Sequence, residues 1–557
     1  MRILLSFFCL TLLAGMVCAQ SAQKTTAIKK AVPGNTVTKA TSSGTSLLQG
    51  MFSAPTGTTV VLQNNGKSDL TVSVSKESGK FFSTNPFNFA AALPDKATFK
   101  ISIKKTTAGQ TCAIYSGSEG TMPTDANKLR IGCDFTYDLV SRSTNNGTFS
   151  TFYESSDGVV GGNSGEEGRY VAFISSAAGF SGSTGKYRQV FWRDRNTGIT
   201  KLISAAADGA QGNGDCYAPA ISGDGKSVAF ESLATNLVQD DKNGVRDVFV
   251  WSAATNTIKK VSKGAGGQEA NADSFEPSLS GDGSLIAFTS NASNISATEK
   301  GVSNNNVFLY DVQKDNSTMI SIDPISRKGG GGSKPSISHD GNRIAFYSHT
   351  STLVANDNNG LWDIFLWEKN NPILKRISLT ADGKERNQGT ESANRIVAPA
   401  ISGNGQYIAF ATTATNMIPG DVNNFQDVFV YDINTGKTII ASQDADGKPG
   451  NADSPIEQGE KIAISFDGKW VAFSTNASNI GAPAANIVLH NVTTGQNRAV
   501  SSVNGSSVGR PTMSYTGAYI VFGIGGKLDG RYASSGIFAN YSGIGPCHSC
   551  PDPLSSR

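Results

Sequence analysis

Three short segments of the sequence carry aspartate and asparagine at a spacing that could bind a metal ion. All three read Asp-x-Asn-x-x-x-Asp, and their residues are Asp241, Asn243 and Asp247, then Asp357, Asn359 and Asp363, and finally Asp421, Asn423 and Asp427. Hard oxygen ligands at alternate positions of a tight loop are how proteins hold calcium, an ion that is abundant outside cells. The segments are therefore candidate calcium loops, although they lack the bidentate glutamate of an EF-hand.

A structural role also explains this spacing. Aspartate and asparagine side chains hydrogen-bond their own backbone in Asx-turns, which fixes a loop without any ligand. Other parts of the chain lose the pattern, because Asn306 and Asn486 stand where the last aspartate would be. Both explanations stay open, so calcium is a possible cofactor and no cofactor is certain.

Residues suited to catalysis are sparse. The four histidines follow no metal-binding spacing, which weakens general-base, triad and zinc hypotheses together; they are His339, His349, His490 and His548. Residues 505–509 match the Gly-x-Ser-x-Gly string but lack the strand-turn-helix context of a nucleophile elbow. We therefore predict no catalytic residue and no enzymatic activity. The alternative is an extracellular carbohydrate-active enzyme, a glycosidase or lyase, which needs arginines and paired carboxylates at the centre of the fold.

The elements that position these residues form a repeat. A phenylalanine that we assign to the inner strand of each unit recurs at Phe173, Phe230, Phe288, Phe346, Phe410, Phe473 and Phe522. A hairpin turn precedes several of them, at Asp224-Gly225, Asp282-Gly283, Asp340-Gly341, Asn404-Gly405 and Asp467-Gly468. A four-stranded sheet cannot bury both apolar faces alone, so such sheets stack radially into a ring. We predict an all-β fold with a seven-bladed propeller over residues 150–542, and six blades as the alternative.

One unit of this repeat resembles a known family. Residues 277–288 read Pro-x-x-Ser-x-Asp-Gly-x-x-Ile-Ala-Phe, which is similar to the TolB-like propeller repeat. The resemblance implies the fold and no particular activity, because such repeats occur in many unrelated exported proteins.

A smaller all-β domain precedes the repeat. Residues 51–138 contain alternating apolar runs separated by turns, which predicts a β-sandwich. Cys112 and Cys133 flank one hairpin-sized segment, and we choose them for a structural disulfide. Residues 60–66, 69–72 and 108–112 resemble a bacterial immunoglobulin-like repeat. That resemblance implies a spacer or display module whose two cysteines pair.

The two ends of the chain differ in composition from the domains, and the N-terminal end indicates where the protein is located. Residues 1–19 have the basic start, apolar core and small cleavage-site residues of a signal peptide. Residues 20–50 are polar without periodicity, typical of a flexible linker, and residues 543–557 are a tail containing cysteine and proline. We predict a secreted or extracytoplasmic protein without a membrane span.

The charge of the chain narrows the class of partner. The net charge of +3 is small for 557 residues, and its basic residues are scattered, which does not favour nucleic acid. A propeller offers a rigid face of loops and a polar channel. The sequence therefore predicts a non-catalytic binding or assembly protein whose partner is an unidentified protein or glycan.

Overall fold

The computed structural model describes strands along most of the chain. It covers residues 45–55, 59–73, 82–106, 110–135, 138–141, 155–178, 183–296, 305–389, 396–455, 461–480, 487–500, 507–525 and 536–541. The predicted signal peptide, most of the predicted linker and the C-terminal tail lie outside these residues. The helical element within them is a 3₁₀ turn at Ala265–Gly267. No helix in the described part of the chain is long and apolar enough to cross a bilayer.

The N-terminal domain consists of two four-stranded sheets around one core. Its strands are β1 Thr45–Pro55, β2 Thr59–Asn64, β3 Ser68–Ser73, β4 Phe82–Pro94, β5 Thr98–Thr106, β6 Gln110–Ser116, β7 Glu119–Thr121 and β8 Leu129–Phe135. The sheet orders are β4-β1-β8-β6 and β3-β2-β5-β7. Phe52 and Ile131 of the first sheet share a buried cluster with Leu62 and Phe99 of the second. This is the β-sandwich that the sequence predicts.

The first strand of the sandwich corrects the predicted linker. Strand β1 begins at Thr45, inside the segment 20–50, because Leu48 is fully buried in the sandwich core. Cys112 on β6 lies directly opposite Cys133 on β8 in the antiparallel register. That register is compatible with a disulfide, which stays a prediction, as does the immunoglobulin-like assignment.

Seven further four-stranded sheets occur among the described residues from Asp138 to Tyr541. Sheet I contains β10 Ser155–Gly161, β11 Tyr170–Ser175, β12 Gln189–Asp194 and β13 Ile199–Leu202. Sheet II contains β14 Cys216–Ile221, β15 Ser227–Ser232, β16 Asp247–Ser252 and β17 Thr257–Lys260. Sheet III contains β18 Ser274–Leu279, β19 Leu285–Ser290, β20 Asn306–Asp311 and β21 Asn316–Met319. Sheet IV contains β22 Ser333–Ile337, β23 Arg343–Ser348, β24 Asp363–Glu368 and β25 Asn371–Arg376. Sheet V contains β26 Ala400–Ile401, β27 Tyr407–Thr412, β28 Asp427–Asp432 and β29 Lys437–Ile440. Sheet VI contains β30 Ala463–Ile464, β31 Trp470–Ser474, β32 Ile487–Asn491 and β33 Asn497–Ala499. Sheet VII contains β34 Ser507–Met513, β35 Tyr519–Gly525, β36 Gly536–Tyr541 and β9 Asp138–Leu139.

The turn between the first two strands of a sheet follows from its sequence. In sheet II, Ser222 Oγ donates a hydrogen bond of 2.6 Å to Asp224 Oδ1, and Gly225 adopts a φ of +73°. Only glycine reaches that conformation without steric cost. The glycines of the other four predicted turns also have positive φ, so the predicted hairpins are confirmed.

The repeated phenylalanines occupy the second strand of each sheet. Phe230 on β15, for example, stacks on Phe249 of β16 with ring centroids 6.0 Å apart, and both are fully buried. The first strand lines the centre of the ring, and these phenylalanines lie on the next strand outward. The second strand lies deeper between neighbouring sheets, where a large apolar ring stabilises their packing.

The sheets pack radially and close on themselves. Val171 and Phe173 of sheet I share a buried cluster with Val521 and Ile537 of sheet VII. Strand β9 pairs with β36 as the outer strand of sheet VII. Sheet I has four strands of its own. The last sheet is the one completed, and the result is a β-propeller.

Candidate functional site

The first strands of the seven sheets surround a central channel. Residues from all seven sheets, or from the segments that lead into their first strands, line a cavity of about 350 Å³ in this channel. We call its outer end the channel mouth, defined by one residue from each sheet that lies within the first strand or two positions before it. These residues are Asp157, Ala218, Glu276, Lys334, Ala398, Lys461 and Arg510.

A β-bulge shapes the mouth in most sheets. The register of the first strand shifts at the mouth residue in sheets I, II, III, IV and VII. In those sheets the mouth residue has a φ between +42° and +58°, although none of the five is glycine. Bulges re-aim side chains and are common beside functional sites, and strained backbone concentrates at such sites. The strain here makes the mouth a candidate site.

One side of the mouth joins the first and last sheets. Arg510 of sheet VII donates a hydrogen bond to Asp157 of sheet I, and Arg188 Nη2 lies 3.6 Å from the other oxygen of Asp157. Burial works against ionisation of Asp157, but the charges of Lys461 and Arg510 outweigh it and hold its pKa below the ordinary value. Asp157 therefore carries its negative charge at neutral pH.

The opposite side of the mouth links sheets II, III and IV. Glu231 on β15 accepts a hydrogen bond of 2.8 Å from the backbone N–H of Glu276, and the Glu276 carboxylate accepts one of 2.8 Å from the backbone N–H of Lys334. Each carboxylate thus satisfies the N–H of the next bulge. Burial raises the pKa of Glu231, and the Glu276 N–H and Arg246 oppose that shift.

Two arginines cover an aromatic ring at this position. Arg188 and Arg246 lie over Tyr217, with guanidinium carbons 5.3 and 5.1 Å from the ring centroid. Arg246 also contacts Glu231 at 3.2 Å. Among the described residues that line the cavity, the charged ones are two bases, Lys334 and Lys461, and one acid, Glu276. Further charged side chains lie next to these residues or to Tyr217: Arg188, Arg246, Arg510, Asp157, Asp215 and Glu231. The mouth therefore has an excess of positive charge.

The far end of the channel is built from different residue types. Five residues beyond each mouth residue, the chain has Gly162, Gly223, Gly281, His339, Gly403, Phe466 and Tyr515. Phe466 and Tyr515 stack with centroids 4.1 Å apart, and His339 meets their edges at 5.3 and 5.9 Å. Six backbone hydrogen bonds of 2.8–3.0 Å pass from sheet to sheet at this level. The His339 ring fills the space beside Gly223 and Gly281, and the Phe466 ring fills the space beside Gly403.

The three aspartate loops lie elsewhere, each between the second and third strands of its own sheet. They belong to sheets II, IV and V, and the structure does not bring them together. In each loop the asparagine accepts a backbone hydrogen bond from the residue two positions on, with N–O distances of 3.2, 3.0 and 2.9 Å. The second aspartate accepts a hydrogen bond from a serine that follows the fourth strand. Part of the motif is therefore structural.

Basic side chains occupy the acidic clusters of sheets II and IV. Lys260 Nζ lies 3.2, 2.8 and 2.5 Å from oxygens of Asp241, Asp247 and Glu269, whose ligand atoms lie within 4.8 Å of one another. Arg376 Nη1 makes the same three contacts in sheet IV, at 2.8, 3.5 and 3.0 Å from Asp357, Asp363 and Glu385. These two clusters already contain a cation, so we do not extend the calcium hypothesis to them.

Among the described residues, no basic side chain occupies the loop of sheet V in this way. Asp421 is 2% exposed and Asp427 is fully buried. Burial raises the pKa of Asp427 to about 7, with Asp421 and Asp453 adding to the shift and the Ser442 hydrogen bond opposing it. Burial also raises the pKa of Asp241, to about 6, although Lys260 opposes it there.

The histidines do not form a site in the described residues. His339 lies at the far end of the channel, His349 packs on Trp362 with centroids 4.5 Å apart, and His490 is buried on β32 beside Asn497. His548 and the first two residues of the Gly-x-Ser-x-Gly string, Gly505 and Ser506, lie outside the described residues. Sequence reasoning missed the mouth residues, although Glu276, Lys334 and Arg510 all stand directly before a proline of the repeat.

Comparison with known proteins places the fold. No family model and no curated protein matches the chain. TolB from Acinetobacter baumannii is 17% identical over 64% of this chain and 67% of its own, with a TM-score of 0.32. Oligogalacturonate lyase from Vibrio parahaemolyticus is 10% identical over 73% and 96%, with a TM-score of 0.43. Acylaminoacyl peptidase from Pyrococcus horikoshii is 13% identical over 71% and 52%, with a TM-score of 0.41.

These similarities concern the fold alone, and they are consistent with the predicted TolB-like β-propeller. They also correct our prediction that the protein is not an enzyme. The similar propellers include a lyase and a peptidase as well as TolB, so neither this fold nor the scarcity of histidine justifies that prediction.

Proposed function

We propose that the protein is an exported binding or assembly scaffold whose propeller binds an acidic segment of a protein or glycan at the channel mouth. The predicted signal peptide supports a secreted or extracytoplasmic location. The observation that carries the proposal is the excess of positive charge among the described residues that line the cavity, where two lysines face one glutamate.

The two arginines over Tyr217 are suited to such a ligand. The Arg188 and Arg246 side chains are 41% and 36% exposed. A guanidinium presents five donors in a planar fork that matches carboxylates. Because both guanidinium groups lie over one ring and are anchored by Asp157 and Glu231, they are ordered before a ligand arrives, which lowers the entropic cost of binding.

The test is binding of defined polymers to the full chain. We expect poly-L-glutamate or hyaluronate, but not neutral dextran, to bind with an affinity that falls as NaCl increases. The double variant Arg188→Gln/Arg246→Gln should bind at least about tenfold more weakly. The control Lys384→Gln/Lys469→Gln removes two exposed charges elsewhere and should bind as the wild type does. Equal binding by the arginine variant would contradict the proposal.

One arrangement beside the mouth supports the alternative function, a carbohydrate-active enzyme. Arg246 and two adjacent carboxylates, Glu231 and Glu276, lie together there. A buried carboxyl with a raised pKa is suited to act as a general acid. New reducing ends or unsaturated sugar ends released from acidic or neutral polysaccharides would indicate activity. Glu231→Gln should abolish that release, and Lys384→Gln should not.

A further inference from the structure

The three aspartate loops provide an internal comparison at the level of single atoms. In sheet II, Lys260 contacts Oδ1 of Asp241 and Oδ2 of Asp247. In sheet IV, Arg376 contacts the same two atoms, Oδ1 of Asp357 and Oδ2 of Asp363. In both sheets, one cation therefore bridges one oxygen from each aspartate.

In the part of the chain that the structure describes, no cation bridges the corresponding atoms of sheet V. Asp421 Oδ1 and Asp427 Oδ2 are buried and accept no hydrogen bond. The strand register explains why: Lys260 and Arg376 lie opposite a phenylalanine of the third strand, and Ile440 holds that position in sheet V. A buried carboxylate oxygen without a partner is strongly destabilising. An external cation would remove that cost.

Sheet V also lacks the third acid of the cluster, which is Glu269 in sheet II and Glu385 in sheet IV. Glu269 and Glu385 each form an isolated bridge with the residue six positions earlier, and Pro449 takes this place in sheet V. Sheet V therefore keeps two carboxylates and loses both the internal cation and the third acid. Asp453 also acts on Asp427, but its Oδ1 accepts a hydrogen bond from the Gln426 N–H. The charges of Asp421 and Asp427 alone balance that of one divalent ion.

We propose that the loop of sheet V binds a calcium ion through Asp421 Oδ1 and Asp427 Oδ2, at the position of the Lys260 and Arg376 side chains in the other two loops. Water completes the coordination, since calcium takes six to eight oxygen ligands. The loop is at the surface, where Val422 is 81% exposed, so an ion reaches the aspartates without unfolding of the sheet. The proposal is independent of the channel mouth.

The experiment measures calcium binding and stability of the full chain. Calorimetric titration with CaCl₂ in constant NaCl should show one site, with a Kd of about 0.1–1 mM, as in extracellular calcium modules. Urea unfolding should have a higher midpoint in CaCl₂ than in EDTA, because the ion binds only the folded state. No heat of binding and equal midpoints would overturn the proposal.

A matched pair of variants locates the ion. Ile440→Lys supplies the internal ammonium of sheet II and should abolish the calcium-dependent shift while the protein stays folded by circular dichroism. Ile440→Met changes the same position without a charge and should keep the shift. If Ile440→Lys does not fold, Asp421→Asn serves instead and should also lose the shift. A calcium response that persists in the folded charge variant would place the ion elsewhere and overturn the proposal.

Discussion

The two ends of the channel are made by the same seven strands and yet have opposite character. At the mouth, the strands bulge and present charged side chains, as in Glu276 and Arg510. Five residues further on, roughly 15 Å along an extended strand, the same strands present glycine or an aromatic ring. The far end is held by sheet-to-sheet backbone hydrogen bonds. One end is therefore built for a fixed packing and the other for adaptable polar contacts.

This difference indicates that the residues important for stability and those important for binding lie at opposite ends of the same strands. At the far end each residue type depends on its neighbours, because the His339 and Phe466 rings occupy the space left by glycines across the channel. At the mouth, the bulge fixes the backbone and leaves the side chain type open, since Ala218 and Lys334 occupy equivalent positions. Substitutions at the far end should therefore affect folding, and substitutions at the mouth should affect charge and binding.

The largest expected effect is at the far end. A Cβ atom on Gly281 would lie 2.1–2.2 Å from three atoms of the His339 ring, so Gly281→Ala should lower the free energy of unfolding by about 3 kcal/mol. Gly523→Ala is the control, because its nearest atoms lie at 3.9 and 4.0 Å. Urea unfolding measures both. In a His339→Ala background, Gly281→Ala should cost almost nothing; an unchanged cost there would show that the ring is not the obstacle.

A smaller effect is expected from the backbone of the mouth. Ala218 has a φ of +42°, and relief of that strain should outweigh the entropic cost of glycine, so Ala218→Gly should stabilise the protein by about 0.5 kcal/mol. Ala220→Gly, in the same strand β14 without positive φ, should destabilise it by about 1 kcal/mol. Thermal unfolding compares the two. Equal losses would mean that the bulge stores no strain.

The smallest expected effect is a pH dependence of the free energy of unfolding that arises from Glu231, beside the mouth. The pKa of Glu231 is raised by burial, so as pH rises from about 4 the carboxyl ionises first in the unfolded chain. The free energy of unfolding contributed by this residue therefore falls with rising pH until the folded carboxyl also ionises. Glu231→Gln removes this loss. Its stability relative to the wild type should increase from pH 4 to 7; a constant difference would contradict the raised pKa.

Local chemistry made much of the propeller predictable. The Asp-Gly turns at Asp224 and Asp282 require positive φ at one position, and that requirement is visible in the sequence. The mouth was not predictable in this way, because its partners are distant in the chain: Arg510 meets Asp157 353 residues away, and Lys334 meets Glu276 58 residues away. The packing of neighbouring sheets brings Lys334 to Glu276, and the closure of the ring brings Arg510 to Asp157.

The aspartate loops were predictable in part. Their spacing identified the residues, but whether a loop needs an external ion depends on a side chain in another strand, Lys260, Arg376 or Ile440. The signal was available, since each of these residues stands two positions before the serine that ends its repeat unit. Recognising it required the strand register, which the sequence pattern alone does not supply.

The strand that completes sheet VII affects how the protein is made. Ile537 donates a hydrogen bond to Ser141, 396 residues earlier, and β9 is synthesised before any other part of the ring. A growing chain therefore leaves the ribosome with its closing strand first and must wait for the last sheet before that strand can pair. Contacts of such long range form slowly, and unpaired strands invite aggregation meanwhile. The ring therefore closes only after β36 has been synthesised and can pair with β9.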